Sequence, residues 1–246
     1  MAFKSWLIAT ALLLSPSLWA QEIKAQTLKE MSLSSTELAD ICKRLPKCNP
    51  NSGQLFKRKS PEEYYFIDDT PQLALLTKAD TYQLKQRWDF ADYVHDSQIT
   101  RAASDSRLYI HPVLYPLSKE QWAIALIKGA SDWFSGGAGT EEKADFIQLN
   151  ADGSYQVALK DIPFYYDLIV KACFREDETK NSPHCQDEET QILKIAYQDI
   201  GKPYYQWKMT YIFTDWSAHM PESEAIVERK TELVVPFESL DKRSDP

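Results

Sequence analysis

The chain has 246 residues, with 28 Lys and Arg against 36 Asp and Glu and a formal charge of -8. A longest basic cluster of only Lys57-Arg58-Lys59 argues against nucleic acid as a partner, because a phosphate backbone is held by clustered cations. Seven glycines, no repeat of fixed period and no low-complexity tract give no support to a solenoid or propeller.

Residues 1–20 read as a cleaved export signal. Lys4 supplies the positive start, Leu7 to Leu14 the apolar run, and Leu18-Trp19-Ala20 a small residue before Gln21. The run falls well short of the roughly 20 residues that cross a bilayer as a helix, so no membrane span is expected. No cysteine follows it to take a lipid, and the tail at 241–246 is polar. Without Lys4 the mature chain carries 27 basic against 36 acidic residues, or -9. The expected protein is soluble, exported to the periplasm or the cell exterior. The absence of any Asn-x-Ser/Thr sequon agrees with a bacterial source.

An exported chain with Cys42, Cys48, Cys173 and Cys185 is read as disulfide-bonded. Of the three pairings, Cys42 with Cys48 and Cys173 with Cys185 is favoured, since each closes a short loop within one unit. The spacings are too long for the paired Cys-x2-4-Cys knuckles of structural zinc.

Residues 21–60 are polar and predict one helix among loops. Ser34 caps it, Glu37 completes a capping box, and Leu38, Ile41, Cys42 and Leu45 recur at helical spacing until Pro46 stops it. Residues 61–240 predict an antiparallel β domain. In Thr81 to Phe90, the residues Tyr82, Leu84, Trp88 and Phe90 share one expected face. In Tyr204 to Thr214, Tyr205, Trp207, Met209, Tyr211 and Phe213 do the same. Less regular strands run from Leu108, Trp122, Ala144, Tyr155, Tyr166, Ile192 and Glu232, and Asp152-Gly153 supplies a tight hairpin between two of them. The predicted fold is all-β with minor α: an antiparallel meander folded as a β-sandwich or open barrel, with a short N-terminal helix.

No motif carries catalysis. Gly129-Ala130-Ser131-Asp132-Trp133 lacks the last glycine of a nucleophile elbow, and the four histidines have no metal-binding helical spacing. His184, Asp187, Glu188 and Glu189 crowd around Cys185 but read as a solvated acidic loop, so neither metal nor cofactor is expected. The glycine cluster Ser135-Gly136-Gly137-Ala138-Gly139 lacks the Lys and helix of a phosphate loop and reads as a hairpin connection.

Trp133 and Phe134 immediately precede that connection, and Trp216 and Tyr204 also sit at strand ends. Such aromatics offer a platform for a sugar ring or a partner surface. The expected ligand-binding residues are Trp133, Phe134, Ser135, Gly136, Gly137, Gly139 and Trp216. The expected function is a non-enzymatic binding module for a glycan or another exported protein, its oligomeric state left open. One rival is an envelope-polymer hydrolase pairing carboxylates among Asp132, Glu141, Glu142 and Asp145. Another is an inhibitory partner that plugs a second protein through this loop.

Overall fold

A computed structural model describes residues 22–59, 61–95 and 105–238. The expected signal at 1–20 and the polar tail at 241–246 lie outside the described residues. The chain is mostly strand, in two antiparallel sheets, with one short helix near its start.

In chain order the first elements are β1 (Gln26–Thr27), β2 (Lys29–Met31), α1 (Ser35–Cys42), β3 (Gln54–Arg58), β4 (Glu63–Asp68), β5 (Gln72–Lys78) and β6 (Tyr82–Asp89). Then follow β7 (Asp105–Pro116), β8 (Trp122–Phe134), β9 (Gly137–Leu149), β10 (Tyr155–Lys171), α2 (Glu176–Asn181), β11 (Gln186–Gln198), β12 (Gln206–Trp216) and β13 (Ile226–Val234). One sheet runs β2-β3-β4-β5-β6 and the other β1-β7-β8-β9-β10-β11-β12-β13. Residues 21–60, expected to be one helix and loops, thus supply three strands as well. Residues 26–31 pass from the edge of one sheet to the edge of the other, and Leu28 is buried between them.

The helix forms as its cap predicts. The Ser34 amide donates to Glu37 Oε2 at 3.0 Å and the Glu37 amide to Ser34 Oγ at 3.2 Å, which satisfies two otherwise orphaned donors. Its apolar side, Ile41 and then Leu45, packs on Leu55, Tyr64, Phe66, Ala74, Leu76 and Tyr82 of the five-stranded sheet. The Cys42–Cys48 disulfide closes the turn beyond it, and Cys173 pairs with Cys185, so both favoured pairings are present. At Gly53 a Cβ would lie 2.3 Å from the Phe66 ring, so only glycine admits this approach.

The other face of the five-stranded sheet, with Phe56, Tyr65, Ile67, Leu73, Leu75 and Trp88, meets Ile110, Leu114, Ile124, Leu126 and Ile147 of the long sheet. The opposite face of those long-sheet strands is covered in turn by β12. Trp207 is fully buried there, with ring centroids 4.9 Å from Phe146 and 5.3 Å from Tyr197, and its indole N–H donates to Pro116 O at 3.1 Å. The long sheet therefore bends back over itself, and irregularities in the β9–β10 register accompany the bend.

One bulge corrects an expected face. Leu76 opposes Leu84 while Leu75 opposes Gln86, so Lys85 is an extra residue in β6. Tyr82 therefore faces the helix side and Trp88 the space between the sheets, not a single face. In β12, Tyr205, Trp207, Met209 and Tyr211 are buried as the alternation predicts, but Phe213 is exposed because the core ends before it.

Candidate functional site

The long sheet continues past its core at one end. There lie the β8–β9 turn, the excursion from Ala172 to Cys185 closed by a disulfide, and the β12–β13 connection. Phe134 pairs with Gly137, so the β8–β9 turn is the two residues Ser135 and Gly136, with Gly136 at φ 95°. This corrects the expected five-residue connection: Gly137, Ala138 and Gly139 are strand residues, and Gly139 is buried between Asp132 and Leu168. A Cβ on Gly137 would meet Ile169 O at 2.4 Å and the Phe134 ring at 2.5 Å. Glycine there lets Phe134 fold across the strand. The Lys171 amide donates to Gly136 O at 2.6 Å and ties the turn to β10.

Trp133 is 79% exposed, and Phe134 is exposed beside it. Trp133 pairs with Ala138, Ala138 with Ile169, Ile169 with Glu188 and Glu188 with Trp216, so these five share one row and one face. Four strand steps separate the two tryptophans, about 19 Å at the usual spacing. They flank a wide surface and do not form one pocket. Trp216 is also held from behind: its ring stacks on His184 at 3.6 Å and 4°, and its N–H donates to Met220 O at 2.9 Å. His184 Nε2 lies 3.7 Å from Glu188 Oε1, so this histidine supports an aromatic stack. Among the described residues no three His, Cys, Asp or Glu side chains converge as a metal site. Tyr204 sits at the opposite end of the sheet against Phe237.

Apolar exposure at this end is wider than the sequence indicated. Phe174 is 75% exposed beside Lys171, Ile226 is 60% exposed, and Val227 and Met220 are exposed as well. Val227 ends the row Ser131, Thr140, Asp167, Thr190, Thr214 on the Trp133 face, so that face spans about 24 Å across the strands, whereas Ile226 ends the Asp132 row and faces the other side. The next row on the Trp133 face holds Ser131, Thr140 and Asp167. Ser131 Oγ and Thr140 Oγ1 are 3.2 Å apart, and partial burial pushes the Asp167 carboxyl above its ordinary value.

The four carboxylates of the hydrolase reading do not share a face. Asp132, Glu141 and Asp145 alternate to one side of the sheet and Glu142 to the other. Glu142 accepts from Tyr109 Oη at 3.0 Å and from Arg107 at 3.3 Å. Asp145 is fully buried and accepts from Tyr93 Oη and from the Asp161 amide, each at 2.6 Å, with His95 Nε2 3.6 Å away. Asp161 has φ 56°, so the buried carboxylate fixes an irregular turn of β10. This polar cluster is absent from the sequence reading. Its signal was an aspartate inside the apolar run Ala144-Asp145-Phe146-Ile147.

Comparison with known proteins gives no match to any family model, to any curated protein or to any solved structure.

Proposed function

We propose that this protein is a non-enzymatic binding module that works outside the cytosol, in the periplasm or at the cell exterior, and grips another exported protein with the open end of its long sheet. The observation that carries this reading is the exposure of Trp133, Phe134, Phe174 and Val227 together at one end of the long sheet. Contiguous exposed apolar surface marks interaction sites, and tryptophan is prominent among residues that anchor partners. A span of about 24 Å, including aliphatic Val227, suits a protein surface better than a sugar ring. The two disulfides support an oxidising compartment.

A second reading, glycan binding, has its own support. Trp133 shares a face with the Ser131 and Thr140 hydroxyls and the Asp167 carboxyl, which suit a ring stacked on an indole with its hydroxyls hydrogen-bonded.

Pull-down from periplasmic extract and a glycan array, each with the mature protein and its Trp133→Ala variant, separate the two. A partner that is re-expressed, binds the purified protein in calorimetry and loses affinity with Trp133→Ala supports the first reading. An array signal lost with the same substitution supports the second. If Trp133→Ala and deletion of Ser135 and Gly136 leave every captured partner and every glycan signal unchanged, the site is elsewhere.

A further inference from the structure

We propose that the free edge of β13 pairs with β13 of a second copy, so that two long sheets join into one continuous antiparallel sheet. Among the described residues β13 pairs only with β12, at the end of the strand order. Alternate backbone N–H and C=O groups over its nine residues therefore point away from the sheet, a template for another strand.

The other strands that end the two sheet orders are covered or short. β1 and β2 have two and three residues. β6 is flanked by the β9–β10 turn, where Trp88 Nε1 donates to Asn150 O at 2.9 Å, and by the turn after α1, where Arg44 donates to Gln83 Oε1 at 3.0 Å.

The charges of Ile226-Val227-Glu228-Arg229-Lys230-Thr231-Glu232-Leu233-Val234 select both the occupant and the register. Two-fold antiparallel pairing keeps each side chain on its own face, so opposed residues are separated by an even number of positions. Centring the pair on Lys230 opposes Lys230 to itself and Glu228 to Glu232. Centring on Arg229 or Glu232 opposes that charge to itself, and parallel pairing sets like charges side by side. Centring on Thr231 opposes Lys230 to Glu232 twice, Arg229 to Leu233 twice, and Thr231 to Thr231, with no like charges directly opposed. The seven residues from Glu228 to Val234 then form the ladder. Leu233, 62% exposed in one copy, gains cover from the stem of Arg229.

Cysteine scanning with sedimentation tests the register. All four native cysteines are in disulfides, so an introduced cysteine is the one free thiol. In the Thr231-centred pair the Thr231 Cα atoms lie about 4.5–5.5 Å apart, within disulfide range. The two Val227 residues are offset by about 26 Å along the strands. Thr231→Cys is expected to give a covalent dimer on mild oxidation and Val227→Cys none. The unmodified protein should show a concentration-dependent dimer, weakened about tenfold by Lys230→Glu and restored by Lys230→Glu with Glu232→Lys. A monomer at every concentration overturns the proposal. So does a dimer that Thr231→Cys does not cross-link, equal cross-linking by Val227→Cys, or a double substitution no better than the single one.

Discussion

Strand β8 passes through two different environments. From Ala123 to Ile127 every residue is buried, because one face meets the five-stranded sheet and the other meets the β12 side. Ten residues beyond Ala123, Trp133 stands 79% exposed on the same strand. β9 repeats the change, from buried Ala144 through Gln148 to Gly137 at the open turn, and β11 has no buried residue at all. The packed half is held by apolar burial, and the open half by its ladder of hydrogen bonds with one disulfide at the margin. Apolar side chains in the second half therefore contribute little to folding and are available to a partner.

The comparison breaks most visibly at Trp207. Trp207→Ala removes the ring that Phe146 and Tyr197 pack against and leaves a cavity, which is expected to cost about 3–5 kcal/mol in urea unfolding. A loss below about 1 kcal/mol would mean that the β12 side is not a true second wall of the core.

Much of the packed half was legible, but by one rule only. Alternation located β12 because Trp207, Met209 and Tyr211 point inward while Lys208 and Thr210 point outward. It passed over β4 and β5, whose runs Tyr64 to Asp68 and Gln72 to Leu76 are buried on both faces and so show no period of two. It also misassigned Tyr82, since a single inserted residue reverses every face beyond it. The short N-terminal strands were missed because β1 and β2 are too brief to show any pattern. At the open end the sequence singled out Trp133, Phe134 and Trp216 through their positions at strand ends. Phe174 and Ile226 were not legible, because only the three-dimensional arrangement of the sheet brings them to the same end as the β8–β9 turn. Glycine marks turns, which draws Gly139 into the expected loop, whereas it is a paired residue inside β9.

Acid should separate the two halves. Burial pulls the imidazoles of His95 and His111 below their ordinary value of 6.5; for His95, the nearby Asp145 opposes this only in part. The unfolded chain then binds more protons below pH 6.5, so this stability is fully present above that pH and is lost as the pH falls toward the folded values. Asp167 at the open end has the opposite sign: its carboxyl is raised by burial, so protonation favours the fold as the pH drops. Melting temperatures between pH 7 and 5 should fall, by less than the effect of Trp207→Ala. The combined substitutions His95→Gln and His111→Gln should flatten the slope. An unchanged slope would assign the acid sensitivity to other groups.

The smallest expected effect on the fold is the most telling for function. Trp133 has little to pack against, so Trp133→Ala should shift unfolding free energy by no more than about 0.5 kcal/mol. Gly137→Ala on the neighbouring strand provides the contrast, since its added methyl would collide with Ile169 O and the Phe134 ring. It should displace Phe134 and reduce hydrogen-exchange protection at the turn while leaving the core amides slow. If Trp133→Ala instead destabilises the protein by several kcal/mol, the indole is part of the packing and its exposure is no guide to a partner. A silent Trp133→Ala in unfolding, together with lost binding, would show that this end of the sheet has been kept apolar for a reason other than folding.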